Sequence, residues 1–110
     1  MDSLELLRAA AGGMDAQRAA LDVYARNVAA SQAAGPRGSY QRLVPRFELV
    51  DDGTTSQIEF AGTQAQTEDG AGVLTEMVSV LNASRAYEAN ASIFEIGKHL
   101  AERTIDMGRL

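Results

Sequence analysis

Four side chains near the C-terminus have types and spacings that could do chemistry together. Glu95, His99, Glu102 and Asp106 fall at i, i+4, i+7 and i+11, along one face of a helix. Carboxylates with an imidazole can hold a divalent metal. Di-iron carboxylate bundles, however, space the pair as Glu-x-x-His, and Glu95 to His99 has one residue too many. Lys98 and Arg103 interleave with the acids, the pattern of a solvated, salt-bridged face. The set reads as surface, and neither metal nor cofactor is expected. A metal-binding helical-bundle enzyme built on Glu95 and His99 is the weakest of the readings. The chain has no cysteine, which removes thiol catalysis, zinc–thiolate clusters and disulfides. It also has no phosphate-binding glycine loop, no Ser-His-Asp order and no carboxylate pair in a cleft. The sequence therefore predicts no enzyme and no small-molecule substrate.

The element that carries this face is a long helix. From Val73 to Gly108 no proline intervenes, and the only interior glycine is Gly97. The segment is rich in Ala, Leu, Glu, Met and Arg, which favour helix. At about 1.5 Å per residue it makes a rod roughly 54 Å long. One apolar stripe runs through Val73, Met77, Val80, Ser84, Tyr87, Ala91 and Phe94, then Ala101 and Ile105. A second runs beside it through Ala89, Ile93, Ile96, Leu100 and Met107. Two adjoining stripes are too wide for one partner helix, so several neighbours are expected.

A second helix is read from about Ser3 to Ala33, with Ser3 as N-cap and Asp2 and Glu5 favouring the positive end of its dipole. Its stripe is Leu4, Leu7, Ala11, Met14, Leu21, Ala25 and Val28, with Arg18 as the polar interruption. Gly12-Gly13 marks either a weak point or a place where another backbone comes close. Gly35-Pro36 ends the helix.

The period changes to two from Ser39 to Val50, with Leu43, Phe47 and Leu49 on one side and Tyr40, Arg42, Val44, Arg46 and Glu48 on the other. Pro45 restricts this strand to an edge. Asp51-Asp52-Gly53 is a turn, and Gln57 to Phe60 returns as a second strand. Ala61 to Gly72, with three glycines, reads as a mobile loop. The organisation is thus 1–34 as an N-terminal helix, 35–72 as a hairpin-and-loop insertion, and 73–110 as a C-terminal helix. The fold class is mainly α: two long terminal helices paired as a coiled coil, with a small β-hairpin between them.

Aromatics are 5% of the chain against 45% apolar residues, so the core is made largely of alanine and is thin. The net charge of −5 argues against nucleic acid as a partner. Arg37, Arg42 and Arg46 stand together and read as a solvated loop or protein contact, while residues 51–72 hold five acids and no base. With no basic-then-apolar leader and no long apolar run, the sequence alone reads as soluble and cytoplasmic.

Three patches, in order, resemble the flagellar basal-body rod proteins, nearest their proximal rod subunits. Glu76-Met77-Val78 through Ala83-Ser84-Arg85-Ala86-Tyr87-Glu88-Ala89-Asn90 is similar to that family's E-M-V-x-x-h-x-A-S-R-A-Y-E-A-N, where h is apolar. Gly13-Met14-Asp15-Ala16-Gln17-Arg18 with Leu21-Asp22-Val23 is similar to G-M-x-A-Q-R-x-x-L-[ND]-[VI], and Tyr40-Gln41-Arg42 with Phe47-Glu48 to Y-x-R…F-E. The family's N-N-[IV]-A-N-x-x-T stands here as Arg26-Asn27-Val28-Ala29-Ala30-Ser31-Gln32-Ala33, and its P-N-V-N-P segment is replaced by Gly70 to Thr75. The middle of the chain is also shorter than the family's.

The resemblance implies a structural subunit that leaves the cytoplasm unfolded through the flagellar type III export apparatus. It would then join the periplasm-spanning rod of the basal body, a helical tube that transmits torque. Implied partners are other rod subunits, the inner-membrane ring and rod-adaptor proteins, and further copies of itself. Residues expected at subunit interfaces are Met14, Leu21, Asn27, Val28, Met77, Leu81, Arg85, Tyr87, Glu88, Asn90 and Phe94. The rival readings are another rod subunit or divergent paralogue, or a cytoplasmic helical interaction module such as an export chaperone.

Overall fold

The computed structural model describes residues 2–51, 53, 56–70 and 72–108, and at 67–69 the backbone alone. Two long helices, α1 (Ser3–Ala34) and α2 (Val73–Gly108), pack against each other, and the strands β1 (Gln41–Asp51) and β2 (Ser56–Asp69) form an antiparallel hairpin between them in sequence. The hairpin lies on α1. The molecule measures 68 × 25 × 13 Å, with a radius of gyration of 18.1 Å, where a compact chain of this length would have about 13 Å. No helix of the described residues is long and apolar enough to cross a membrane.

The N-cap of α1 is Asp2 and not Ser3: its Oδ1 accepts a hydrogen bond from Glu5 N at 2.8 Å. The carboxylate satisfies an orphan amide and places negative charge at the positive helix end. At the other end Gly35 has φ 77°, a left-handed conformation that suits glycine, and α1 stops there.

α1 is held between α2 and the hairpin, and the buried line along it is Ala10, Ala16, Ala20, Val23, Asn27 and Ser31. The larger residues of the expected stripe flank this line. Leu7, Ala11, Met14, Leu21 and Val28 are half-buried, and Leu4 and Ala25 are exposed. Small side chains sit at the centre because two neighbours crowd one helix and its backbone must approach both. Gly12 and Gly13 mark the closest approach. A Cβ at Gly13 would lie 2.6 Å from Asn90 Oδ1, and one at Gly12 would lie 3.0 Å from Gln57 Oε1 and 3.5 Å from the Ile58 carbonyl.

On α2 the two stripes separate. The first faces inward, with Val80, Ser84, Tyr87, Ala91, Phe94 and Ala101 half-buried beside the buried Glu76, Ala83 and Gly97; only Met77 and Ile105 of that stripe are exposed. Every member of the second stripe is exposed. Gly97 sits against Leu6 and Leu7, so α2 runs antiparallel to α1, and its last turns, Glu102 to Gly108, are exposed throughout.

The hairpin is longer than the sequence predicts. Ala61 to Asp69, expected as a mobile loop, is the second half of β2; Leu43, Val44 and Pro45 pair with Ala65, Gln64 and Thr63. The glycine that suggested a loop, Gly62 (φ 103°), lies where the register shifts between Pro45 and Phe47, so it forms a bulge within the strand. In the expected turn, Asp51 Oδ1 accepts from Gly53 N at 2.8 Å, and Asp52 lies outside the described residues, as does Ala71.

Candidate subunit interface

Two arrangements can have functional meaning: a buried polar clasp that fixes the hairpin to both helices, and the apolar face that α2 turns outward. The clasp begins at the entry to the hairpin, where Tyr40, the residue before β1, and Arg42 within it are two apart. At the start of α2, Glu76 and Ser79, three apart, share a helical face. Glu76 is 0% exposed. Its Oε1 accepts from Arg42 Nε at 2.7 Å and its Oε2 from the Tyr40 hydroxyl at 3.2 Å. Arg42 also donates to Ser79 Oγ at 3.0 Å and to Gln66 Oε1 at 3.3 Å. The Tyr40 hydroxyl in turn accepts from Gly72 N at 3.0 Å, tying the residue before α2 to the residue before β1. Every buried side-chain nitrogen or oxygen among the described residues has a partner, as a buried polar cluster requires.

Asn27 supplies the matching link on α1. Its Nδ2 donates to the Leu43 carbonyl at 2.8 Å and its Oδ1 accepts from Leu43 N at 2.9 Å, so the side-chain amide pairs with β1 as a neighbouring strand would. Replacing Asn27 with alanine should cost about 1–3 kcal/mol, because it strands both backbone groups of a partly buried strand. Faster amide exchange at Leu43 with a lower urea midpoint is the expected result; unchanged exchange would mean the bonds are dispensable.

The structure divides the expected interface residues between the inside and outside of the chain. Asn27 is buried against Leu43. Asn90 is half-buried over Gly13, its Nδ2 donating to the Ala86 carbonyl at 3.0 Å. Tyr87 accepts from Arg18 Nη2 at 3.1 Å, and the guanidinium carbon lies 5.8 Å from its ring centroid. That hydrogen bond raises the pKa of Arg18. Met14, Leu21, Val28 and Phe94 are half-buried, while Met77, Leu81, Arg85 and Glu88 are exposed. Arg85 and Glu88 form no ion pair with another described residue. Val28, Met77 and Leu81 come together with Ala25, Val80 and Ser84 around an apolar groove of about 470 Å³ between the helices.

Of the C-terminal polar set, His99 Nδ1 is 3.7 Å from Glu102 Oε2, both well exposed. No group of three or more potential metal ligands comes together among the described residues. Sequence reasoning placed Tyr40 and Arg42 on one strand face but missed the clasp, because it read the three arginines as a solvated loop or protein contact and did not connect them with Glu76.

The outward apolar face is extensive. Leu74, Val78, Leu81, Ile93, Ile96, Leu100 and Met107 are each at least 40% exposed. The whole chain exposes 7493 Å², against about 5,900 Å² for a compact protein of 11.7 kDa. Such a surface is the mark of a protein that packs against others.

The chain is similar to the flagellar basal-body rod protein FlgC of Aquifex aeolicus. The two are 28% identical over 130 aligned positions, covering 96% of this chain and 97% of that protein. The alignment is longer than this chain's 110 residues, so the Aquifex protein carries residues that this one lacks. No family model matches the chain.

Proposed function

We propose that this chain is a structural subunit of the bacterial flagellar basal-body rod, in its proximal part, without enzymatic activity. The similarity to FlgC along nearly the full length of both chains carries the reading. The outward stripe of α2 supports it on separate physical grounds, since a subunit of a stiff tube needs long apolar contacts and no catalytic cleft. In this reading the chain leaves the cytoplasm through the flagellar type III apparatus. Its α1–α2 pair then packs with copies of itself and with other rod subunits, between the inner-membrane ring and the rest of the rod. The thin alanine core suits an exported chain, because little packing must be undone before passage.

The test is mass spectrometry of detergent-purified hook–basal bodies from the source bacterium, alongside a mutant lacking this chain. The expected result is the protein at stoichiometric levels, with the rod beyond the membrane ring missing in the mutant. Intact rods in the mutant, with the protein confined to the cytoplasm, would overturn the reading in favour of an export-side helper.

A further inference from the structure

The two edges of the hairpin are closed to different degrees. On β1, Asn27 holds both backbone groups of Leu43, which therefore point away from β2. By the alternation of an antiparallel ladder Pro45 points the same way, and proline has no N–H to offer. β1 is thus closed to a further strand. The partners of Leu43 and Pro45 are Ala65 and Thr63, so these turn their own backbone groups outward on the opposite edge. Thr63, Gln64 and Ala65 are all exposed, and no hydrogen bond from another described part of the chain reaches Thr63 or Ala65.

Open edges in soluble proteins are commonly guarded by lysine, proline or a bulge. Phe60 to Thr67 carries no charge and no proline, and the bulge at Gly62 precedes the open stretch. Beside this edge acids outnumber bases, with Arg46 exposed on β1 next to the acids. Glu48 and Glu59 are paired directly across the ladder, a like-charge arrangement that destabilises a sheet. Both are exposed, and neither has an ion-pair partner among the described residues. Residues 51–69 add acids and no base. A second copy of the chain fits poorly: its β2 brings the same acids, and its β1 edge is closed.

We propose that the outer edge of β2 at Thr63–Ala65 binds an extended, basic segment of a different protein by strand addition. Main-chain hydrogen bonds to Thr63 and Ala65 hold the incoming strand, and its lysine or arginine relieves the Glu48–Glu59 pair. This goes beyond the rod reading and does not depend on it.

The experiment is an amide NMR titration of the full chain with the peptide acetyl-Lys-Thr-Val-Thr-Val-Thr-Lys-amide and its counterpart with glutamate at both ends. Expected are shifts centred on residues 59–66, at least fivefold slower exchange of the Thr63 and Ala65 amides at saturation, and at least tenfold weaker binding of the acidic peptide. Ala65→Pro removes an outward N–H only, and should weaken the basic peptide at least tenfold while Leu43 stays protected. If that variant disturbs the hairpin, Glu59→Lys decides instead, by weakening the basic peptide several-fold and favouring the acidic one. The proposal is overturned by shifts elsewhere, by equal affinity for both peptides, or by no binding at millimolar peptide. It is also overturned by variants that bind as the parent does, or by protection of Thr63 and Ala65 that rises with protein concentration alone, which would make the occupant a second copy.

Discussion

Replacing Glu76 with alanine should cost about 3–5 kcal/mol of folding stability, the range for removing one partner of a buried ion pair. The carboxylate is fully buried and accepts from both Arg42 and Tyr40. Its loss leaves a guanidinium whose side chain is 19% exposed without its counter-charge. Domains are stable by only about 5–15 kcal/mol in total, and a chain whose buried apolar residues, among those described, are small ones such as Ala10, Ala16, Ala20, Val23 and Ala83 belongs at the low end. The variant should therefore be largely unfolded in modest urea, with loss of helical circular dichroism. The double change Glu76→Met with Arg42→Met removes both charges and should cost clearly less than the two single changes summed. An additive pair, or a Glu76→Ala midpoint equal to the parent's, would show that the clasp contributes little. The large effect is expected because the hairpin rests on α1 and reaches α2 chiefly through this cluster.

The sequence shows some of this design and hides the rest. The two helices were legible because a 3.6-residue period sustained without proline has one structural solution, and the width of the apolar band on α2 was legible for the same reason. The buried line on α1 was not. A search for large apolar residues finds Leu4, Leu7 and Leu21, whereas a helix pressed from two sides buries Ala10, Ala16 and Ala20. Half of β2 was hidden by composition: Gly62, Thr63 and Gln64 look like loop residues, yet a strand with open faces tolerates them when its partner is Leu43–Pro45. Asn27, a candidate interface residue, and Glu76, which was not one, show a further limit. Both are polar side chains that a sequence alone assigns to the wet side of a helix, and only the packing of hairpin on helix removes them from water.

The remaining asymmetry lies between the two sides of α2. One side is fitted closely to α1, with Gly97 against Leu6 and Leu7 and Gly13 against the Asn90 side chain. The other carries leucine, isoleucine and methionine with nothing over them. For an isolated chain this stripe brings no stability and invites aggregation. It is consistent with a helix whose outer side is completed by other subunits, and its exposed last turns extend that side past Glu102.

Leu81→Asp is the sharpest test of that face. Leu81 is half exposed and lines the groove with Met77 and Val28. In the free chain the aspartate remains in water, and the stability change should stay within about 0.5 kcal/mol, as for ordinary surface substitutions. In an assembly that covers the groove, a carboxylate must be desolvated without a partner, at a cost of several kcal/mol. At roughly 1.4 kcal/mol per tenfold, a penalty of about 3 kcal/mol lowers each subunit contact by roughly two orders of magnitude, and the penalty recurs at each contact that buries the groove. The expected outcome is a variant with parental circular dichroism that is still exported but gives non-motile cells lacking rods, while Leu81→Met behaves as the parent. Ile96→Asp, on the same side of α2 and also exposed, should act alike if the whole stripe is covered. Normal rods in both variants would mean that the outward side of α2 stays in water, and that the contacts completing this chain lie elsewhere on it.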